Sequence, residues 1–323
     1  MRLVQLHYSI PLARVKPPEQ LLAYRTFCLK TTMQACQGGV HRRTQSPVTG
    51  KALEVFGHVE GLTYLCDPEN GSLFLAEVPH TSDWASVLRA VNQYRHTPDG
   101  GVSSDLEQFR EDSVYLPKLT WIQDTLRMQE LHRPKVLEIV TPPSEFSSLL
   151  RDSGLFAEVI TTDEMILCSC DPAIAQNSVQ VALLRESLDR VDDPKALLDA
   201  VTRSLCEGGL LFVTGLVASG FDMAVLGTQN FYLYPPDRTN CFSLKGLSTF
   251  IEQAGFVLLE VSTPGVLDME IVRSHLQRNP QLPLSRFERQ IIHSDEETQL
   301  AFQGFLQQWG LSSFARIVAR KRT

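Results

Sequence analysis

The sequence lacks the features that would place it in a membrane or on a nucleic acid. Its 323 residues contain no apolar run of the roughly 18 residues needed to span a bilayer. The opening residues, MRLVQLHYSIPLARVKPPEQ, lack a continuous apolar segment followed by a small-residue cleavage site. The formal net charge is -7, so the excess of Lys and Arg that drives binding to phosphates is missing. We therefore expect a cytoplasmic protein that binds neither membranes nor nucleic acids.

A regular cysteine pattern is also missing. The seven cysteines are odd in number and irregularly spaced, which favours reduced thiols over a disulfide framework. Cys168 and Cys170 are separated by a single residue, whereas the Cys-x-x-Cys redox motif has two residues between its thiols. We interpret the cysteines as buried or incidental thiols.

Glycine is absent from the stretch KVLEIVTPPSEFSSLL, residues 135–150. The stretch predicts a buried strand, a turn and an amphipathic helix, and nucleotide-binding α/β proteins place glycines in such a turn. Here Pro142 and Pro143 remove two backbone donors and fix φ, while the branched Val140 and Thr141 resist left-handed conformations. The sequence therefore predicts a closed turn that leaves no space for a cofactor.

Composition divides the chain into three regions. The first, residues 1–96, combines a predicted helix over Pro18–Cys36 with short strands near Glu54–Phe56 and Ser72–Leu75. The polar, glycine-containing stretch HTPDGGVSSD is the best linker candidate, and we assign residues 97–116 to a linker. Residues 117–323 are predicted to form the main domain, which begins with a helix that has Pro117 in its first turn.

Strands and helices alternate from Lys135 onward. Apolar strands are predicted at residues 135–140, 157–162, 179–184, 209–216 and 256–263, with helices between them. One helix starts with Asp193 as N-cap and Pro194 at the first helical position, and is predicted to end near Gly208. Continuous apolar strands separated by helices indicate a mostly parallel sheet covered on both faces. The predicted fold class is a Rossmann-like, doubly wound α/β domain with a small N-terminal α+β region.

The C-terminal part is predicted to insert helices before a last strand. Ser294-Asp295-Glu296-Glu297 has the pattern of a capping box, in which Glu297 would accept from the Ser294 backbone N–H. Residues 315–320, ARIVAR, are predicted to form an edge strand that completes the sheet. The helix before that strand places one apolar face on Ala301, Phe302, Phe305, Leu306 and Trp309.

Four segments carry a resemblance to a known family. They are LLRESLDRVDDPKALLDAVTRSLCEGGLLFVTG, PPDRTNCFSLKGLSTFIEQAGF, STPGVLDMEIV and LSSFARIVARK. Their order and spacing resemble class I S-adenosylmethionine-dependent methyltransferases, in the bacterial sugar and polysaccharide branch that carries an N-terminal zinc ribbon. The resemblance runs from Thr44 to the C-terminus.

The resemblance implies where the cofactor would lie. In the family, an acid-Gly-x-Gly-x-Gly turn follows the first strand, and an acid after the second strand holds the ribose hydroxyls. Residues 165–178 leave little room for a helix and a third strand, so part of the adenine wall is expected to be missing. If the cofactor site is retained, the matching residues are Glu138, Thr141, Ser144, Asp163, Glu164 and Asp189.

The chain departs from the family at three histidine positions, where it has Arg190, Arg238 and Phe314. An arginine cannot act as a base near neutral pH as histidine can. The long aromatic loop of residues 220–238 is interpreted as a substrate or partner loop. Its candidate contact residues are Tyr232, Tyr234, Asp237 and Arg238.

The zinc knuckles implied by the resemblance are altered as well. The first, Cys-Pro-x-Cys-Gly, is matched by SPVTG (residues 46–50), and the second by CDPENG (residues 66–71). Three of four thiolate ligands are missing, with Cys66 taken as the fourth, so we expect no bound metal. The ribbon is expected to persist through the packing of Phe56, Tyr64, Leu73 and Phe74.

Three functional hypotheses remain open. The protein is a non-catalytic, methyltransferase-like scaffold that has lost its cofactor and binds an unknown protein partner. Alternatively, it is an active S-adenosylmethionine-dependent methyltransferase with an atypical loop, acting on a sugar or another small molecule, since methyl transfer needs mainly positioning. In a third hypothesis, the pocket binds something else.

Overall fold

An N-terminal helical and ribbon region precedes the main sheet in the computed structural model, which describes residues 10–15, 17–97, 108–140, 144–168 and 175–323. It starts with α1 (Leu12–Val15) and α2 (Pro18–Cys36), the latter with the predicted bounds. Five short strands follow: β1 (Val40–Arg42), β2 (Glu54–Val59), β3 (Leu62–Cys66), β4 (Leu73–Leu75) and β5 (Glu77–Pro79). Helix α3 (Thr81–Arg95) packs on α2, and the two bury Cys28, Trp84 and Val91.

The segment between the ribbon and the main sheet is helical where it is described. Most of the predicted linker, residues 98–107, lies outside the described residues. The chain is helical again from residue 108, passes through a π-helical turn at Glu111–Tyr115 and continues as α4 (Leu116–Met128). Pro117 stands in the first turn of α4, as predicted.

The first half of the main sheet is parallel. It comprises β6 (Lys135–Ile139), β7 (Glu158–Thr162), β8 (Val179–Arg185) and β9 (Leu205–Leu216). The helices between these strands are α5 (Glu145–Asp152), α6 (Glu164–Cys168), α7 (Ser187–Arg190) and α8 (Pro194–Ser204). Between β7 and β8 the described residues form only the short α6 and no further strand.

The C-terminal half completes the sheet with two more strands. Its elements are α9 (Phe221–Leu226), β10 (Asn240–Cys241), α10 (Leu244–Gln253), β11 (Phe256–Ser262), α11 (Asp268–Arg278), α12 (Arg286–Ile292), α13 (Glu296–Gln308) and β12 (Phe314–Lys321). The sheet order is β11-β12-β9-β8-β6-β7, with β12 antiparallel to both neighbours. The predicted fold class, a mostly parallel sheet within a mixed α/β protein, is confirmed.

Three local predictions are wrong. Strand β12 is an interior strand, not an edge, because Ala315, Ile317 and Val318 are all buried between β9 and β11. Helix α8 ends at Ser204, since Leu205 already pairs with Val179 and the glycine pair lies within β9.

The predicted capping box at Ser294 is the third error. The Ser294 hydroxyl donates to Ile291 O at the end of α12, so Asp295 becomes the N-cap of α13 and accepts from Thr298 N at 2.8 Å. A capping box occurs instead at the start of α12, where Ser285 and Glu288 exchange hydrogen bonds.

Most of the predicted apolar face of α13 is exposed or half-buried. Leu306 is buried, but Phe305 and Trp309 are exposed, while Gln299, Gln303 and Gln307 point inward. Gln303 and Gln307 Nε2 each donate to Gly265 O at 2.8 Å, which explains why polar side chains occupy the inner face.

The N-terminal region and the main domain share a sheet. Strand β10 pairs with β4 and extends the antiparallel ribbon of β2, β3 and β4. Tyr64 of β3 donates its hydroxyl to Arg238 O at 2.8 Å, and Trp84 donates Nε1 to Arg190 O at 2.9 Å. These contacts bring the ribbon and α3 to the end of the sheet at which β8 terminates. None of the described helices is long and apolar enough to cross a bilayer.

Candidate functional site

A cavity of about 1120 Å³ lies at the carboxyl ends of β6 and β8. Open α/β sheets bind ligands at this edge, outside the ends of the parallel strands. The N-terminal helix α2, helix α4 with its π-helical turn, helix α7 and the start of β12 form its walls. The cavity is large enough for a ligand of nucleotide or sugar-phosphate size.

The structure brings only part of the predicted site residues to this cavity. Asp163 lies outside the lining, and its Oδ1 accepts from Ile166 N at 2.7 Å at the start of α6. Glu138 and Asp189 are buried behind the wall, and Thr141 is outside the described residues. Of the predicted site residues, six line the cavity: Ser144, Glu164, Tyr232, Tyr234, Asp237 and Arg238.

Glu138, at the end of β6, is fully buried and already satisfied by the protein. Arg185 at the end of β8 contacts Glu138 Oε1 through Nη2 at 2.8 Å and through Nε at 2.9 Å. The Ser147 hydroxyl donates to Oε2 at 2.5 Å. Arg185 also donates to the hydroxyl of Ser144, the N-cap of α5, at 3.0 Å. Both oxygens of the acid at this strand end are therefore engaged by internal donors.

Asp237 forms the centre of a second network on the opposite wall. Arg95 Nη2 contacts both Asp237 oxygens at 2.9 Å, and Arg190 Nε lies 3.5 Å from Oδ1. Burial would raise the pKa of Asp237, but Arg95, Arg190 and Arg238 lower it to about 2. Asp237 is therefore ionised at neutral pH and is neutralised by the surrounding guanidinium groups.

Arg238 links two acids at the same wall. Its Nη1 lies 3.2 Å from Asp189 Oδ2, and its Nη2 lies 3.2 Å from Glu186 Oε2. Glu186 directly follows β8 and adopts a left-handed φ of 63°, an uncommon conformation for a side chain with a Cβ. Such strained residues are frequent at functional sites, and Glu186 lines the cavity.

The three positions at which the chain departs from histidine all line the cavity. Arg190, Arg238 and Phe314 come from α7, from the segment before β10 and from the start of β12. The two arginines are engaged with Asp237, Glu186 and Asp189. Histidine would bring a group that titrates near neutral pH, whereas these residues provide fixed charge and an aromatic surface.

Lys118 is a cavity residue that the sequence interpretation missed. Its side chain is only 6% exposed, and Nζ lies 5.9 Å from the ring centre of Phe146 and 5.7 Å from that of Phe314. Burial and the nearby Arg185 lower the pKa of Lys118 to about 7, and the smaller opposing effects of Glu186 and Glu138 do not offset them. The signal was present in the sequence, because Lys118 precedes the buried Trp121 and Ile122 by three and four residues on α4.

The two turns of the ribbon carry a hydrogen-bonded cluster where the resemblance implied metal ligands. Asp67 Oδ2 accepts from Thr49 Oγ1 at 2.9 Å and from Asn70 Nδ2 at 2.8 Å. Ser46 also bonds to the Asp67 carboxylate and accepts from the backbone N–H of Thr49 at 3.2 Å. The thiol of Cys66, the one cysteine at the four matched positions, lies 3.5 Å from Asp67 O.

This cluster stabilises the ribbon without thiolates. Asp67 is fully buried, and the ribbon core holds Tyr64 and Leu73, whereas Phe56, predicted to be part of that core, is exposed. In the described part of the chain, no group of three or more His, Cys, Asp or Glu residues is placed to hold a metal ion. The six described cysteines are free.

We expect Asp67→Ala to lower the free energy of unfolding by about 1–3 kcal/mol, because it leaves the donors of the buried Ser46 and the half-buried Thr49 and Asn70 without their acceptor. Burial would raise the pKa of Asp67, but bonds from Ser46, the Glu69 backbone, Thr49 and Asn70 lower it below 3.8. The stabilisation is therefore present above pH 3.8 and is lost as the pH falls below it. Urea unfolding at pH 7 and pH 3 measures both effects.

The matched control is Glu69→Ala in the same turn. Glu69 forms an exposed ion pair with Lys51, so its loss should change the stability by less than about 0.5 kcal/mol. Equal effects of the two substitutions would contradict a structural role for the Asp67 cluster.

Comparison with known proteins gives distant similarity. No protein-family model matches the sequence, and no curated protein matches it. Haemonchus contortus phosphoethanolamine N-methyltransferase 2 is 13% identical, with 78% of this chain and 63% of that chain covered and a TM-score of 0.47. Burkholderia thailandensis 1,6-didemethyltoxoflavin-N1-methyltransferase is 11% identical, with 84% and 100% covered and a TM-score of 0.44. A Thermotoga maritima SAM-dependent methyltransferase is 17% identical, with 74% and 99% covered and a TM-score of 0.39.

Proposed function

We propose that this chain is a methyltransferase-like protein that does not bind S-adenosylmethionine and acts as a non-catalytic scaffold or binding protein. The observation that carries the proposal is the Arg185–Glu138 ion pair at the ends of β6 and β8. The acid that would face a cationic cofactor is fully buried and is neutralised by a side chain of the protein.

The charge of the cofactor strengthens this conclusion. S-adenosylmethionine carries a sulfonium, an ammonium and a carboxylate group and so has a net positive charge, whereas the wall beside β6 presents Arg185 and Lys118. Placing like charges together in a partly buried cavity is unfavourable, because the low dielectric strengthens their repulsion. This charge pattern supports the proposal that the cavity does not hold the sulfonium cofactor, and the proposed function includes no methyl transfer.

An exposed aromatic surface supports the binding-protein part of the proposal. Trp309 is 64% exposed and Phe287 is 59% exposed, and both belong to a stripe on α12 and α13 that includes Phe302 and Phe305. Clustered exposed aromatic side chains are typical of protein contact surfaces. The partner of such a surface would be a protein, although no charge pattern specifies which one.

Calorimetric titration of the purified protein tests the loss of the cofactor. We expect no heat of binding with S-adenosylmethionine or S-adenosylhomocysteine up to millimolar concentration. A catalytically active methyltransferase titrated under the same conditions provides the positive control. Binding of either compound with micromolar affinity would overturn the proposal.

A second candidate is an active methyltransferase with an atypical cofactor loop. Glu164 favours it, because this acid follows β7, is buried and lines the cavity, where the resemblance implies a ribose contact. Under this alternative, Glu164→Gln should abolish binding in the same titration while the thermal unfolding temperature stays nearly unchanged. Binding of S-adenosylmethionine by the wild type, together with no binding by Glu164→Gln, would favour an active methyltransferase over a non-catalytic scaffold.

A further inference from the structure

We propose that the cavity binds a small molecule through an anionic group, a phosphate or a carboxylate, which docks on Lys118 between Arg185 and Arg316. The proposal rests on the proposed function, because it assigns the cavity to a ligand other than the sulfonium cofactor. Its basis is the buried side chain of Lys118, which forms no ion pair with an acid among the described residues.

Lys118 has no acidic partner among the described residues. Its ammonium group is held between the rings of Phe146 and Phe314, and no described carboxylate forms an ion pair with it. An unpaired ammonium is costly to bury, and aromatic faces compensate only part of that cost. The side chain nevertheless lines the cavity, so an anion entering there would supply the missing partner.

The charged groups around Lys118 come from three strands and favour an anion. Arg185 and Glu186 lie at the end of β8, Glu138 lies in β6 and Arg316 lies in β12. The two acids are engaged elsewhere, Glu138 by Arg185 and Glu186 by Arg238. Two guanidinium groups therefore flank Lys118, while neither neighbouring acid is available to it.

Two further acids of the cavity lining, Asp237 and Asp268, are engaged by other groups. Asp237 is bound by Arg95 and Arg190, and Asp268 accepts from Ser312 and Ser313. Lys118, Arg185 and Arg316 thus place three basic side chains in one part of the cavity lining. Guanidinium and ammonium groups form charge-assisted hydrogen bonds with carboxylate and phosphate oxygens.

Anion binding should be coupled to a proton on Lys118. Near neutral pH the buried amine is only partly protonated, because its pKa is lowered to about 7. A bound anion stabilises the ammonium form, so binding takes up a proton and strengthens as the pH falls from 8 to 6. A site made only of arginines would show no such coupling, since guanidinium groups stay charged over this range.

The test titrates the full chain with sulfate, inorganic phosphate and malonate by calorimetry. Sulfate keeps a constant charge between pH 6 and pH 8, so it reports proton uptake when measured in two buffers of different ionisation enthalpy. We expect dissociation constants between about 10 μM and 1 mM for the preferred anion, with uptake of up to one proton at pH 8. Preference for sulfate and phosphate would assign a phosphate-bearing ligand, and preference for malonate a carboxylate.

Lys118→Met provides the decisive variant, because removing an unpaired buried charge should not prevent folding. We expect its anion affinity to fall at least about tenfold and the proton uptake to disappear. Lys195→Met, on the exposed surface of α8, should retain both. Absence of binding for all three anions, or equal binding by the wild type and Lys118→Met, would overturn the proposal. These titrations are separate from the S-adenosylmethionine titration, so either proposal can fail alone.

Discussion

Arg185→Met is expected to lower the free energy of unfolding by about 3–5 kcal/mol, because it leaves the buried Glu138 carboxylate without its cation. Glu138 is fully buried and would retain only the Ser147 hydroxyl as a donor. Urea unfolding at pH 7, followed by circular dichroism, measures the change.

The double variant Glu138→Gln with Arg185→Met separates the pair from the packing. A neutral amide needs no counter-charge, so the double variant should recover most of the lost stability. The control is Lys195→Met, which removes an exposed i,i+4 pair with Asp199 and should change stability by less than about 0.5 kcal/mol. A loss below about 1 kcal/mol for Arg185→Met, or no recovery in the double variant, would show that this ion pair does not hold the ends of β6 and β8 together.

Lys118→Met is expected to raise the free energy of unfolding, whereas Arg185→Met lowers it. It removes a buried ammonium that lacks an acidic partner, so stability should rise by roughly 3–5 kcal/mol at pH 6. Methionine has a similar length and can keep the contacts with Phe146 and Phe314. Thermal and urea unfolding of wild type and variant, compared at each pH, measure the difference.

The pH dependence identifies the cause of this stabilisation. Burial lowers the pKa of Lys118 from 10.5 to about 7, so between these values the unfolded chain binds a proton that the folded chain has released. Wild-type stability therefore rises with pH in this window relative to the variant. The advantage of Lys118→Met should shrink by roughly 2–3 kcal/mol between pH 6 and pH 9. A difference that is constant over this range would exclude titration of Lys118 as its origin.

The site was predictable only in part. The three positions at which the chain departs from histidine, Arg190, Arg238 and Phe314, all line one cavity. The resemblance did not show that Glu138 is turned inward onto Arg185. The two residues are 47 positions apart, and their contact depends on β6 and β8 being neighbours in register.

Helix α13 shows the same limit for an amphipathic pattern. Its apolar residues are predicted to share one face, yet Gln303 and Gln307 point inward and donate to Gly265 O, and Gln303 also donates to Asp268. Hydrophobic periodicity shows that the two faces of a helix differ in polarity. It does not show which face packs against polar groups from a segment distant in sequence.

The sequence by itself determined the α/β alternation and the strand positions, whereas the closed turn predicted at Pro142 and Pro143 lies outside the described residues. The alternation and the strand positions follow from local causes, namely the spacing of apolar residues, capping side chains and the fixed φ of proline. Only the tertiary structure decided which charges are paired and which are not. Arg185 pairs with Glu138, and Lys118 pairs with no acid among the described residues, because neighbouring strands and helices bring together residues that are distant in sequence. Because these groups are buried, the presence or absence of a partner has a large effect on the free energy of unfolding.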